Sequence, residues 1–244
     1  MKTIFWLCVI GGALFYITTI LPKKPSNERD WSLDQKILST ISKQGDIVTI
    51  TDVRNFTYAS TTTYTPNYYT KNYDLTKLKK VWYIVEPFSG YKGAAHTFLS
   101  FEFEDNILLA VCVEIRKEIG EKFDAKKGLL REYELMYVFA DEKDAVKLRT
   151  NFRKDTVYMY PVQTTPEKTR LLFADIITRA QVLALQPEFY NTFFNNCTTN
   201  IITHVNKITP GRIPFSYAAV FPEYSDIVAH KLGLIPNNLP IKDI

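Results

Sequence analysis

The sequence predicts an α+β protein with a mainly antiparallel sheet, helices segregated from that sheet, and one transmembrane helix ahead of the folded body. Short β-rich runs joined by brief connections predict the sheet, and later stretches with helical periodicity predict the helices. Residues 3–21 carry no charge, which predicts the membrane helix. With 244 residues, 46% of them hydrophobic, the chain can form one substantial core.

The uncharged segment 3–21 is long enough to cross a bilayer and lacks the small-residue cleavage pattern of a secretory signal. We therefore expect an uncleaved anchor at residues 1–22, a polar linker at 23–30 and one domain at 31–244. A cleaved secretory signal is the alternative.

The first half of the body is predicted to be mostly strand. Residues 31–44 have apolar residues at helical spacing and predict a helix, whereas 45–58 alternate as a strand does. Residues 80–88 form another β-rich run. Two further runs, 96–103 and 107–116, are separated only by "EDN" and predict a hairpin.

The second half is predicted to alternate strands and helices. Residues 133–140 and 156–162 are β-rich, and between them 141–153 is a helix with acidic residues at its start. Residues 166–186 are a helix that opens on a proline and carries an apolar stripe. A last helical pattern follows Cys197.

Cys197 is the first candidate functional residue, because it follows two asparagines that can cap a helix. We expect it in the first turn of a helix, where the dipole and free backbone N–H groups favour a thiolate and can hold an oxyanion. Asn195 and Asn196 are candidates to shape such a site. The alternative from spacing alone is that Cys197 is a small buried core residue.

A nucleophilic cysteine needs a base, and the sequence has three histidines. His204 lies too far along the same helix, and His230 lies in a short helix near the carboxy terminus. His96 opens the hairpin strand and is the candidate base. A three-residue loop at "EDN" puts His96 opposite Glu114, which completes a cysteine, histidine and carboxylate set.

Two alternatives to this set follow from the hairpin. A two-residue turn would shift the register and remove the pairing of His96 with Glu114, and Glu114 could instead form an ion pair with Arg116 or Arg131. The same register puts Cys112 on the face of His96. Cys112 is then either a packed core residue or a disulfide partner of Cys197.

The motifs from residue 26 onward stand in an order that resembles a known family. They include "RNFTY", "AHTFLSFEF", "VEIRKEIGE", "GLLREYELMYVFADEKDAVKLRTNFR" and "PEFYNTFFNNCTTN". This set is similar to the amino-terminal periplasmic domain of the bacterial lipoprotein N-acyltransferase called Lnb and its stand-alone relatives. The position of Cys112 is usually serine in that family. Larger members carry further membrane helices after this domain, whereas this sequence ends at "IKDI".

The resemblance implies a circularly permuted papain-like thiol enzyme that forms an acyl thioester. Cys197 matches the nucleophile and His96 the base. Glu114, placed beside His96 by the hairpin register, is the third group, and Arg116 is a further candidate to shape the site. It also implies a single-pass protein of the bacterial inner membrane with its domain on the periplasmic side. The basic residues Lys23 and Lys24 mildly favour the opposite orientation, and we give the resemblance more weight.

Three functions remain open at this point. The first is an acyltransferase to an amine, as on a lipoprotein, or a lipid-ester hydrolase, with membrane lipid as partner. The second is a papain-like peptidase or amidase on cell-wall peptides or proteins, and the third is a non-catalytic envelope module. A net charge of +4 without basic clusters excludes nucleic acid as a partner. The spacing of histidines and cysteines predicts no metal site, and we expect no cofactor.

Overall fold

A computed structural model describes residues 1–238. Its first element is α1 (Lys2–Phe15), which continues as a π-helical turn over Tyr16–Ile20. Among the described residues, one helix, Lys2–Ile20, is long and apolar enough to cross a membrane, with a mean hydropathy of 1.9. Its side chains are exposed until Ile20, which is buried. The segment expected to be the anchor therefore projects from the body.

Residues 1–238 contain ten strands, which are β1 Thr40–Gln44, β2 Ile47–Arg54, β3 Thr57–Tyr58, β4 Tyr64–Thr65, β5 Tyr68–Asp74, β6 Leu78–Pro87, β7 Ala95–Phe103, β8 Leu108–Arg116, β9 Glu134–Asp141 and β10 Tyr158–Pro161. Eight of them form the main sheet, in the order β1-β2-β9-β8-β7-β6-β10, and β5 also pairs with β2. Neighbouring strands are antiparallel, except that β2 meets β9 in parallel.

Helices cover both faces of this sheet. The helices after α1 are α2 Ala125–Leu129, α3 Glu142–Lys147, α4 Pro166–Leu185, α5 Cys197–Ile208 and α6 Ser225–Lys231. The α4 and α5 helices pack on one face, and α3 packs on the other. The predicted mixed α+β class with a mainly antiparallel sheet is confirmed.

The strands β7 and β8 form the centre of the sheet, and their alternation separates two layers of core. Leu99 and Phe101 of β7 face α4 and α5, and the ring of Phe101 lies edge-on to that of Phe173 with centroids 4.9 Å apart. Phe98 of β7 and Cys112 of β8 face the opposite way, toward α3. Side chains of opposite parity therefore reach different helices.

The hairpin register is the predicted one. Phe98 pairs with Cys112, and the N–H of Phe103 donates to the carbonyl oxygen of Ile107 at 2.8 Å, so "EDN" is the three-residue loop. Asp105 within this loop has a φ of 58°, a conformation that aspartate tolerates. The parity of every residue along β7 and β8 follows from this loop.

The helix predicted over residues 31–44 is wrong. Thr40–Gln44 is instead strand β1, which pairs with β2 around a tight turn at Gly45 and Asp46. Gly45 has a φ of 58°, which favours glycine and allows a two-residue hairpin connection. The pairing with β2 outweighs the helical spacing, because the spacing describes only the chain's local preference.

The buried ring of Phe101 should contribute measurably to the stability of the body. Replacing Phe101 with alanine removes a side chain of 0% exposure and leaves a cavity against Phe173. We expect the free energy of unfolding to fall by about 3–5 kcal/mol, measured by denaturant unfolding in detergent followed by circular dichroism. The control Phe215→Ala, at a side chain 72% exposed, should change little. Equal midpoints for the two variants would contradict this.

Candidate active site

Cys197 is the first residue of α5, and its position is fixed by a capping box. The side chain of Asn196 accepts a hydrogen bond from the N–H of Thr199 at 2.8 Å, and the hydroxyl of Thr199 accepts from the N–H of Asn196. Cys197 itself is 6% exposed. The structure confirms that this cysteine lies in the first turn of a capped helix.

The amide groups of both asparagines are used to hold the loop before α5. Asn196 Nδ2 donates to the carbonyl oxygens of Thr192 and Ala219, at 2.7 and 3.0 Å. Asn195 Nδ2 donates to the carbonyl oxygen of Phe189 at 2.9 Å, and its second close neighbour is Glu188 Oε2 at 3.5 Å. The donors of these amides are thus taken, so an oxyanion at this position would rely on the backbone N–H groups of the first turn.

An apolar cavity runs along α5, starting at the residue after Cys197. Its volume is about 80 Å³. Its wall includes Leu99, Leu172, Thr198, Ile201, Val205, Ser216, Val228 and Leu232. The hydroxyls of Tyr83 and Ser225, which also line it, bond to each other at 2.6 Å. The apolar lining of this cavity suits an apolar ligand.

His96 and Glu114 meet, as the hairpin register predicts. His96 Nε2 lies 3.8 Å from Glu114 Oε1, and the imidazole stacks on Phe98 with ring centroids 5.4 Å apart. Arg149 Nη2 lies 3.4 Å from the same carboxylate oxygen. Glu114 therefore pairs with Arg149, and neither Arg116 nor Arg131 is its partner in this cluster.

The structure does not bring His96 to Cys197. Thr97 points to the α5 face, because its hydroxyl bonds that of Thr198 at 2.9 Å. Adjacent residues of a strand point to opposite faces, so His96 points away from α5 and toward Glu114. The pairing of Cys197 with His96 expected from the sequence is therefore not seen in this geometry. The catalytic roles of Cys197, His96 and Glu114 stay predictions.

The thiol that His96 does meet is Cys112. The side-chain atoms of His96, Cys112 and Glu114 that could bind a ligand lie within 4.8 Å of one another, which agrees with the predicted register that puts all three on one face. An imidazole, a thiol and a carboxylate at this spacing could ligate a metal ion. Arg149 and Arg54 already supply positive charge to this cluster, as their influence on Glu114 shows, so the carboxylate is compensated without an ion.

Burial and the two arginines set the protonation of this cluster. Burial, reinforced by Arg149, lowers the pKa of His96 to about 3, so the imidazole is neutral at pH 7. Burial would raise the pKa of Glu114, but Arg54 and its neighbours outweigh it and lower the value to about 2. Burial raises the pKa of the Cys112 thiol to about 12. His96 and Glu114 therefore meet as a neutral ring and a carboxylate.

Arg116 holds the chain outside this cluster. Its guanidinium donates to the carbonyl oxygens of Gln35 and Lys36 and to Asn27 Oδ1, at distances of 2.7–3.0 Å. It also lies over the ring of Trp31 at 4.3 Å. These contacts fasten the segment before β1 to the sheet and account for the burial of Arg116. Its role in shaping the site stays a prediction.

The chain matches a known protein family. The family model described as the Lnb N-terminal periplasmic domain matches residues 64–223, which include His96, Glu114 and Cys197. The chain belongs to this family. No curated protein and no solved structure matches it. The Lnb-type domain together with the exposed apolar helix Lys2–Ile20 is consistent with a membrane-anchored periplasmic domain.

The disulfide between Cys112 and Cys197, one of the two alternatives for Cys112, is not formed in this Lnb-type domain. Both are free thiols, and they belong to the separate cores on the two faces of the sheet. A disulfide requires Cα atoms within about 7 Å and side chains that point toward each other. The sheet between them rules out this geometry in the folded state.

The low pKa of His96 predicts a defined pH dependence of stability. Its value in the folded state is about 3 and its ordinary value is 6.5, so the unfolded chain binds the extra proton between these pH values. The contribution of His96 to the free energy of unfolding is complete above pH 6.5. It is lost as the pH falls toward 3, by about 1.4 kcal/mol per pH unit for one proton. His96→Phe should remove this slope from urea midpoints measured between pH 6.5 and 4.

The control for this slope is Cys112→Ser, a neighbour in the same cluster. The pKa of Cys112 is raised to about 12, so this thiol does not titrate in the acid range and the slope should remain. Burial also lowers the pKa of His204. Any pH dependence of the urea midpoint that persists in His96→Phe is therefore assigned to His204. A His96→Phe slope equal to that of the unmodified protein would contradict the protonation assigned to His96.

Proposed function

We propose that this chain is a membrane-anchored thiol enzyme of the cell envelope, in which Cys197 takes a fatty acyl group from a lipid ester. The observation that carries the proposal is the apolar cavity, whose wall begins at Thr198, the residue next to Cys197. A fatty acyl chain on the sulfur would lie along α5 in this cavity. The family and the anchor helix support it, because they bring the cysteine close to lipid.

The proposed step forms one bond and breaks one. The sulfur of Cys197 attacks the ester carbonyl carbon, the bond from that carbon to the alkoxide oxygen breaks, and the thiol proton leaves with the alkoxide as an alcohol. The thioester then passes its acyl group to an amine, as on a lipoprotein, or to water. In either case the thiol of Cys197 is restored.

The groups around the sulfur fit the charge that develops on the carbonyl oxygen. The first turn of α5 presents backbone N–H groups beside the sulfur. Ser216 Oγ is buried at the cavity wall and has no hydrogen-bond partner within residues 1–238. The Ser216 segment abuts the start of α5, because Ala219 accepts from Asn196. This hydroxyl is therefore available to a polar group of the substrate.

We place the domain on the periplasmic side of the bacterial inner membrane, held there by a single membrane pass. The family supports this side, and the anchor supports the single pass. A permuted papain-like arrangement would need the imidazole of His96 on the α5 face. It lies on the other face, so the proposed chemistry does not depend on His96 as the base for Cys197.

Two alternatives make different demands on the molecule. A peptidase would need a hydrophilic groove at Cys197, whereas the adjoining cavity is lined almost entirely by apolar side chains. A reactive thiol at Cys112 would have His96 and Glu114 close by, but it would need a thiolate at a buried position where the pKa is raised to about 12. The experiment on Cys197 also tests this second alternative.

The proposal predicts a covalent adduct on one cysteine. After incubation of the full chain with phospholipid in detergent, intact-mass analysis should show the gain of one fatty acyl group, and peptide mapping should place it on Cys197. Hydroxylamine should remove it, because it cleaves thioesters. Cys197→Ser should show no thioester adduct, and the control Cys112→Ser should still form it.

Other outcomes of this experiment exclude the proposal. An adduct that persists in Cys197→Ser and disappears in Cys112→Ser would move the reactive thiol to the His96 cluster. Rapid alkylation of Cys197 by iodoacetamide with no lipid adduct would favour the peptidase. The absence of both adduct and alkylation at either thiol would favour the non-catalytic module.

Filling the cavity should block acylation without removing the thiol. Val228 of α6 lines the cavity, so Val228→Phe places a ring where the acyl chain is proposed to lie and should slow adduct formation at least tenfold, that is, by about 1.4 kcal/mol. The control is Val182→Phe, the same change at a side chain of α4 that is 42% exposed. Circular dichroism checks that both variants fold. Equal rates of adduct formation would count against the cavity as the acyl site.

A further inference from the structure

The antiparallel order of the sheet collects several loops at one end of the molecule. Strands β6 and β8 end there and β7 and β9 begin there, so the β6–β7 turn and the long β8–β9 connection are neighbours. The ring of Phe88 lies 6.0 Å from that of Phe123 across these two loops. Thr192 Oγ1 donates to the carbonyl oxygen of Ala125 at 2.7 Å, which adds the loop before α5 to the same end.

Large apolar side chains at this end are exposed. We call them the basal patch, and it consists of Tyr91, Ile119, Phe123, Leu130 and Phe194. Their exposed fractions are 72%, 74%, 45%, 37% and 75% respectively. Exposed apolar groups that cluster on one surface mark an interaction site, whereas single ones scattered over a protein do not.

The basal patch adjoins the end of the apolar helix. Arg131 Nη1 donates to the carbonyl oxygen of Leu21 at 3.2 Å, and Lys23 Nζ donates to that of Leu130 at 3.0 Å. Leu21 and Lys23 are the first and third residues after the helix segment Lys2–Ile20. The chain therefore leaves the proposed membrane span directly beside the patch.

Basic side chains are interspersed with the apolar ones. Lys122 and Lys126 are exposed on either side of Phe123. The acidic residues of the same loop are engaged within the protein, since Asp124 caps α2 and Glu121 lies 3.4 Å from Lys127. Aromatic and basic side chains on one surface are the combination that binds the headgroup region of an anionic bilayer.

We infer that the basal patch docks on the bilayer that holds the anchor, with its aromatic side chains in the headgroup region and its lysines on anionic phospholipid. The anchor then acts as one attachment and the patch as a second, which fixes the orientation of the domain. Phe194 stands three residues before Cys197, so docking presents the start of α5 to the lipid. This inference rests on the proposed function only for the membrane anchor.

The test places a tryptophan in the patch of the full chain. Phe194→Trp and the control Glu104→Trp are reconstituted in nanodiscs of phosphatidylglycerol with plain or brominated acyl chains. Glu104 is exposed in the loop at the other end of β7, about 30 Å away for a strand of this length. Bromine quenches nearby tryptophan, so the added fluorescence of Phe194→Trp should be lost and that of Glu104→Trp should remain.

Charge reversal gives a second arm with a matched control. In the Phe194→Trp background, Lys122→Glu with Lys126→Glu should weaken the quenching, because these lysines no longer attract the anionic headgroups. Lys79→Glu with Lys80→Glu makes the same charge change at exposed positions near the far end of β6. This control should leave the quenching unchanged.

The outcomes separate the docking surface from the proposed chemistry. An unquenched tryptophan at position 194, or equal quenching at positions 194 and 104, would overturn the docking surface. Native Trp6 lies within the anchor, so its quenching in the unmodified protein reports membrane insertion independently. Quenching needs no thioester and should be the same in Cys197→Ser. Docking without any acyl adduct would leave the surface standing and reject the proposed chemistry alone.

Discussion

The register of the β7–β8 hairpin is the constraint on which the rest of the structure depends. Once "EDN" forms a three-residue loop, Phe98 pairs with Cys112, and every side chain of the two central strands is assigned to a face. A slip of one residue would send apolar side chains such as Phe101 to the opposite side. Phe101 packs on Phe173 with no exposure, so such a slip would cost the core its largest contacts.

This alternation separates two chemically different environments. On one face, Cys197 begins α5 beside an apolar cavity and a set of hydroxyl groups. On the other, His96, Cys112 and Glu114 lie among buried arginines that keep the imidazole neutral and the carboxylate ionised. Buried charges are tolerated when they are paired, and here Arg149 contacts both Glu86 and Glu114. The sheet thus separates the two thiols.

Both environments nevertheless lie toward one end of the sheet. His96 and Thr97 stand at the start of β7, and Thr97 contacts the first turn of α5. The basal patch and the exit of the apolar helix are at this same end. The proposed lipid chemistry and the proposed docking surface agree in this respect, since each needs the start of α5 to face the bilayer.

The sequence alone determined much of the local structure. The apolar length of residues 3–21 predicted the long helix, the asparagines predicted the cap that places Cys197, and the "EDN" loop predicted that His96 meets Glu114. These features depend on near neighbours along the chain or on one short turn. The motif order also indicated the family that the match over residues 64–223 shows.

The tertiary structure decided which of these local features meet. Residues 31–44 have helical spacing, yet pairing with β2 makes Thr40–Gln44 a strand, because partners distant in sequence override local preference. The sequence around Cys197 likewise does not predict which face of the sheet α5 covers. By packing against Thr97 and not against His96, α5 separates the cysteine from the imidazole. Periodicity tells which side chains share a face, but only packing between elements tells what covers it.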